Sequence, residues 1–579
     1  MSAKKIIFIE FLLFILGFST VGATKERIFR IIPCGNDAIS LFKATLDSIR
    51  ALDGLPAVIE LIPSDYHLSR SNSTPLVYHI SNTASEKENP DSLKHIGILL
   101  KNISNLKIKG NGARIVTHGE LTTFVIDSCS NIRLENFTIT AADPTVTEIK
   151  ILETNDTTIT FETLPFTRYE IKDGVFKFVG DGWAFGDPTT IHYAWPQIYH
   201  PDKNVTVRCA GSPLSGYKSV TALSPQRVKM TFEKAPPVVT GDIYQFRHWI
   251  RNEVCGFVNL SKDISFENIN FNFMGNFGLL SQFTENISFH NIRFAPDENS
   301  GRTNAGFADF LHFSGCKGKI RISDSFFCGA QDDAINVHGT HLKIVEQISN
   351  SKLKMRFMHP QTFGFQPFFP GNRIEIVNAS TLNPIHATYV KDVERIDNYN
   401  FILDLTEPFL LSDLLTKENL VVENVTFTPE VEISGNRFER IPTRGILLTT
   451  RGKSIIENNS FYRLPMASIL IADDASSWYE SGPVKDLTIR GNIFIECNPP
   501  FILVSPEIKT FDGPVHSGIK IEDNTFYIDS QDIINIKGTS GISINNNTFI
   551  STEEIDPAGI IYIEKSTDVS ADGNRLLLF

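Results

Sequence analysis

The chain has 579 residues, too many for one compact core, so it holds either several domains or one elongated repeat. With 41% hydrophobic and 21% charged residues it has the make-up of a folded protein and not of a disordered one. Its formal net charge of −12 excludes a broad phosphate-binding face, and nucleic acid with it, and disfavours a polyanionic substrate.

In chain order, Lys4 and Lys5, the apolar run from Ile6 to Phe18 and the small residues Val21-Gly22-Ala23 read as a secretory signal over 1–23, with Glu10 inside its apolar run. That run is shorter than the ~20 residues a membrane span needs. The expectation is an exported protein, periplasmic or secreted, with no span after cleavage. Seven cysteines, an odd number, make no disulfide framework and show no metal-ligand spacing. They read as buried thiols, with a Cys316–Cys328 bridge left open.

A unit of alternating apolar residues, a polar turn and an aromatic recurs along the chain. Instances are Asn131-Ile-Arg-Leu-Glu-Asn-Phe137, Asp263-Ile-Ser-Phe-Glu-Asn-Ile269, Asn286-Ile-Ser-Phe-His-Asn-Ile292, Asp486-Leu-Thr-Ile-Arg-Gly-Asn492 and Gly541-Ile-Ser-Ile-Asn-Asn-Asn547. Turn asparagines recur after 23 residues (Asn436 to Asn459) or 33 (Asn459 to Asn492). A repeat of this length, alternating with period 2 and without helices between strands, predicts an all-β parallel β-helix. The turn runs Asn458-Asn459 and Asn545 to Asn547 are expected both to take the left-handed backbone conformation and to bond to their copies in the next coil.

Coils are predicted over 24–140, 251–340 and 429–579. Residues 141–250 and 341–428 break the rhythm, with strands such as Val228-Lys-Met-Thr-Phe232 and Arg373-Ile-Glu-Ile-Val377 between Pro and Gly turns. They predict two inserted small antiparallel β-barrel-like domains, able to wall a cleft or to mediate homo-oligomer contacts.

The strongest chemical signal is Gly329-Ala-Gln-Asp-Asp-Ala-Ile-Asn-Val-His-Gly-Thr340. With Ile335 and Val337 pointing inward, alternation sends Asp332, Asn336 and His338 outward and gives Asp333 inward parity. An unpaired carboxylate cannot lie in that stack, so Asp333 is placed at the turn before the strand. One coil earlier, Asp309-Phe-Leu-His-Phe313 puts Asp309 under Asp333 and His312 under Asn336 when core positions are aligned. The same alignment puts Arg444 over Asp333. Crowded carboxylates repel, so one keeps its proton while another ionises, as general acid and general base require in glycoside hydrolysis. Read as a generic carboxylate patch, the same residues also suit Ca²⁺ ligation or Asn/Asp stacking.

The run Cys328-Gly-Ala-Gln-Asp-Asp-Ala-Ile-Asn-Val-His-Gly-Thr340, with Ala308-Asp-Phe-Leu-His-Phe-Ser-Gly-Cys-Lys-Gly318 before it, closely resembles the bacterial α-1,3-galactosidases of glycoside hydrolase family 110. The likeness extends over nearly the whole mature chain, including Thr449-Thr-Arg-Gly-Lys-Ser-Ile-Ile-Glu-Asn-Asn459 and Trp478-Tyr-Glu-Ser-Gly482. It implies a right-handed β-helix with two inserts and an inverting exo-α-galactosidase without metal or cofactor. It also implies a substrate oligosaccharide or glycoconjugate ending in α-galactose, of the branched blood-group B type and in some members linear. By that resemblance Asp332 is the general acid, and Asp309 with Asp333 is the pair that activates water.

Arg302, His312, Asn336, His338 and Arg444 are candidate sugar-binding residues, and so are Asp473, Asp474, Trp478 and Glu480 two coils on, each balanced by a structural role. Rival readings are a polygalacturonase-like hydrolase or pectate-lyase-like enzyme, which would call for a basic groove, and a non-catalytic carbohydrate-binding β-helix.

Overall fold

The computed structural model describes residues 26–33, 35, 37–186, 196–247, 250–408 and 419–579. The signal segment 1–23 and Cys34 lie outside the described residues.

Each coil is three strands; in the coil that carries the site they are Lys317–Ser323, Phe326–Cys328 and Ile335–Thr340. Each pairs in parallel with its counterparts above and below, so the first two strands of every coil build one long sheet and the third builds another. Inward side chains then stack on their own kind. Phe271, Phe294, Phe327, Phe438, Phe461, Phe494, Phe526 and Phe549 form one column, with ring centroids 4.9 Å apart at its start and 4.7–4.9 Å thereafter, the strand spacing itself. The abundance of Phe comes in part from this column.

The corner between the first two strands is held by a second column. Asn436, Asn459, Asn492, Asn524 and Asn547 each donate from Nδ2 to the Oδ1 of the next asparagine, at 2.9–3.0 Å, ending on Asn574. The left-handed backbone falls one residue earlier, on Gly435 (φ 68°), Asn458 (56°), Gly491 (61°), Asp523 (56°), Asn546 (56°) and Gly573 (69°). Turning and bonding, expected of the same asparagines, are thus divided between neighbours: Asn458 turns and Asn459 bonds.

One element departs from the expected absence of helices. Helix Ile39–Arg50 buries Ile39, Phe42, Leu46 and Ile49 along one face. These side chains join the core of the first coils with Leu61, Tyr66 and Leu100, so the helix covers an apolar end that would otherwise face water.

The first insert, from Val146–Thr154 to Ile243–Arg247, is a seven-stranded antiparallel sheet with a three-stranded sheet (Tyr169–Lys172, Val175–Gly180, Trp183–Phe185) that shares its apolar core. The second, from Leu342–Ser349 to Leu420–Asn424, closes into a six-stranded barrel around Leu353, Met355, Phe401 and Val422. Among the described cysteines none is bridged. Cys316 and Cys328 are separate buried thiols, which removes the bridge left open by their spacing; burial pushes each up to about 12.

Candidate active site

The third strand of successive coils positions the site. Leu311, Ile335 and Ile446 stand in register, as do Phe313, Val337 and Leu448, so the alternation predicts the observed stacking. Asp309, Asp333 and Arg444 therefore meet at the edge where these strands begin. The outward residues Asn336, Leu447 and Leu470 form the floor of a cavity of about 310 Å³. Asp309, Asp332 and Asp333 all line it.

Asp333 precedes the strand, in the turn, and is 1% exposed. Its Oδ1 accepts from Thr443 Oγ1 at 2.7 Å and from the Arg444 backbone N–H at 3.1 Å, and its Oδ2 accepts from Arg444 Nη2 at 2.8 Å. Every one of these contacts donates to the carboxyl, the pattern of an ionised group. Burial pushes the other way and, with Asp332 and Asp309 nearby, raises it to about 7.

Asp332 faces the first insert, where Arg208 Nη2 donates to its Oδ1 at 2.8 Å. Burial would raise this carboxyl, but Arg208, Arg444, Arg247 and Arg251 hold it below the ordinary range, so it is ionised at neutral pH. The turn that carries it is pinned by an amide chain: Gln197 Nε2 donates to Gln331 O, Gln331 Nε2 to Gln245 Oε1, and Gln245 Nε2 to Thr303 Oγ1, at 2.6, 2.6 and 2.8 Å.

Asp309 differs from both. Its Oδ2 lies 2.8 Å from His312 Nδ1, a group that can accept a proton. Burial, reinforced by the Asp332 charge, pushes Asp309 up to about 8, against Arg251 and Arg444. The three carboxyls thus occupy three environments: one paired with a partly exposed cation, one locked by buried donors, one backed by an imidazole.

The other candidates divide. Asn336 lines the cavity and its buried Oδ1 has no protein partner, so it is open to a ligand hydroxyl. Arg444, Asp473, Trp478 and Glu480 also line the cavity. Asp474 lines it too, but its carboxylate accepts from the backbone N–H groups of Ser476, Ser477, Trp478 and Tyr479, which makes it the clasp of the loop that carries Trp478. Three candidates are corrected. His312 and His338, both buried, sit behind Asp309 instead of facing the cavity. Arg302 has a 5% exposed side chain that donates to Val146 O at 3.1 Å and lies 3.5 Å from Glu148, tying the first insert to the β-helix. For the two histidines the outward parity holds and other elements cover the outward face, whereas Arg302 lies outside any strand.

Sequence reasoning missed the groups that come from elsewhere. Arg208 arrives from the first insert and Arg251 from just beyond it. Arg251 lies over the rings of Phe277 (5.3 Å) and Trp478 (5.8 Å). His359 of the second insert stacks on Trp478 at 4.2 Å. Asn82 donates to Glu480 Oε1 at 3.0 Å across 398 residues. No local pattern marks any of them. The described residues contain no helix long and apolar enough to cross a membrane.

Two family models match: GLAA-B beta-barrel domain II over residues 352–411 and right handed beta helix region over residues 419–576. Among curated relatives, an Alpha-1,3-galactosidase A of Bacteroides thetaiotaomicron is 41% identical over 96% of this chain and 97% of its own length. An Alpha-1,3-galactosidase A of Bacteroides fragilis is 37% identical, covering 86% of this chain and 83% of its own. An Alpha-1,3-galactosidase B of Phocaeicola vulgatus is 28% identical over 96% and 98%.

Proposed function

This chain belongs to the α-1,3-galactosidase family of glycoside hydrolases, and on that premise we propose that it is an exported, exo-acting enzyme that removes terminal α-1,3-linked galactose with inversion. Its activity is that of an α-1,3-galactosidase. The observation that carries the mechanism is the meeting of Asp309, Asp332 and Asp333 on one small cavity in three different electrostatic environments.

Asp332 serves as the general acid toward the leaving oxygen, while Asp309, oriented beside the fixed Asp333–Arg444 pair, takes the proton of the attacking water. For that division Asp332 must gain a proton when substrate binds, because Arg208 keeps it ionised in the free site. Arg208 is 47% exposed, and its guanidinium can leave the carboxylate for sugar hydroxyls as the galactoside displaces water. The small cavity suits one sugar ring at the non-reducing end, and Trp478 at its rim offers an aromatic face beside it. Blood-group B type branched termini and linear termini are both within the proposed range. Export rests on the signal-like pattern from Lys4 to Ala23.

The test is galactose release from an α-1,3-galactoside, run beside a uronate polymer. Free galactose with no unsaturated or shortened uronide supports the proposal. Uronate cleavage without galactose release refutes it.

A further inference from the structure

Behind Asp309 the hydrogen-bonded chain continues where no solvent reaches. His312 Nε2 lies 2.7 Å from His338 Nε2, and His338 Nδ1 lies 2.6 Å from the carbonyl oxygen of Gly339. The Glu480 carboxylate stands 3.6 Å from His338 Nε2. We propose that His312 and His338 are a proton relay that turns Asp309 from the carboxylic acid of the resting site into a carboxylate base without changing the charge of the buried cluster.

The direction of every bond follows from the carbonyl end. Gly339 O can only accept, so His338 carries its hydrogen on Nδ1. A neutral His338 then presents a bare Nε2, which His312 Nε2–H must fill. Neutral His312 is left with a bare Nδ1, so Asp309 must be the donor and therefore holds a proton. Burial favours that neutral form. The alternative arrangement has the same number of protons: the Asp309 Oδ2–H bond breaks as His312 Nδ1–H forms, and His312 Nε2–H breaks as His338 Nε2–H forms. Asp309 is then a carboxylate and His338 an imidazolium opposite Glu480. Both forms of the Asp309–His312–His338 chain are neutral overall, so the change needs no ion to enter or leave the dry interior.

The surrounding charges suit the second form. Glu480 is drawn below the ordinary carboxylate range, against burial, by a charged His338 or His312 and by Asn82 and Arg444, so it is a counter-charge that favours the imidazolium form. On the cavity side Asp309 faces Asp332, Arg251 and Arg444, the buried Arg247 also acts on it, and Asp333 lies in the next coil. Phe277 packs edge-on against His312 at 5.2 Å and closes the chain from water. A shared metal ion would need the two ring nitrogens about 3.4 Å apart, from Zn–N bonds of ~2.1 Å in tetrahedral geometry, farther than observed. The two histidines are positioning residues, since they reach the substrate only through Asp309.

This inference rests on Asp309 being the base. Its test pairs a direct reading of the protons with a kinetic one. Histidine-selective ¹⁵N NMR of the resting protein is expected to show His338 protonated on Nδ1 and His312 on Nε2, with His338 becoming an imidazolium when a thio-linked α-1,3-galactobiose is bound. His338→Gln keeps an acceptor for His312 Nε2–H but cannot take up a proton. Its kcat should fall roughly 10²-fold at near-constant KM, and the acid limb of its pH profile should move upward because Asp309 must then ionise unaided. A His338→Gln profile parallel to that of the native enzyme, or a His338 that stays neutral with ligand bound, overturns the relay. Asp309→Asn separates the two ideas: if that variant keeps its activity, the base assignment itself is wrong. Should His338→Gln fail to fold, the NMR of the native protein still decides.

Discussion

Arg208 Nη2 lies 2.8 Å from Asp332 Oδ1, joining an insert strand to a β-helix turn 124 residues away. The pair sets the proton affinity of the proposed acid. In the free site Asp332 is held below and Asp309 above the ordinary range, so Asp332 sets the acid limb of kcat/KM; removing the cation in Arg208→Gln raises Asp332 and moves that acid limb to higher pH, whatever the absolute loss from missing sugar contacts. A pH series on both proteins reads this; an acid limb that stays in place or moves downward contradicts it.

Asp309 predicts a stability effect of definite sign. Its carboxyl is raised from 3.8 to about 8 in the folded protein. Between those values the folded state binds more protons than the unfolded one, so stability is fully present below about pH 4 and is lost as pH rises through about 8. Asp309→Asn cannot ionise, and its Nδ2 can still donate to His312. Its stability relative to native should increase from pH 4 to pH 8 and then level off, by on the order of 5 kcal/mol at most. Urea unfolding across that range checks it, and a difference that does not vary with pH would rule it out.

Asn492 sits mid-column, accepting from Asn459 N and Nδ2 at 2.9 and 3.0 Å and donating to Ile456 O and Asn524 Oδ1. Asn492→Ala strands buried donors and acceptors on two coils, each worth roughly 1–3 kcal/mol. A loss of about 2–4 kcal/mol is expected in denaturant titration, with kcat and KM of the remaining folded enzyme unchanged.

Trp478 is 39% exposed at the cavity rim, braced by His359 and Arg251. Trp478→Ala should raise KM about tenfold, the loss of roughly 1.4 kcal/mol of stacking, and leave the pH profile in place. An unchanged KM would make the rim a packing feature only.

How much of this was legible in the sequence follows from what repeats. Leu311, Ile335 and Ile446 could be aligned because each coil returns the same apolar positions to the core, and the edge residues Asp309, Asp333 and Arg444 came with them. Arg208 and His359 could not be found, because inserts with their own antiparallel registers deliver them to the groove. His312 and His338 were misplaced for a related reason: period-2 parity tells which way a side chain points, not what lies over it. Helix Ile39–Arg50 was missed although Ile39, Phe42, Leu46 and Ile49 carry its spacing, because it is a single element between the first two parallel strands, Arg27–Ile31 and Ala57–Leu61, and forms no part of the repeat rhythm.

The most direct test of the central claim, water activated by Asp309 and Asp333 while Asp332 protonates the leaving oxygen, is time-resolved proton NMR of the galactose first released from a blood-group B oligosaccharide and its unfucosylated analogue. β-Galactose is expected first, followed by mutarotation. α-Galactose as the first anomer would contradict it.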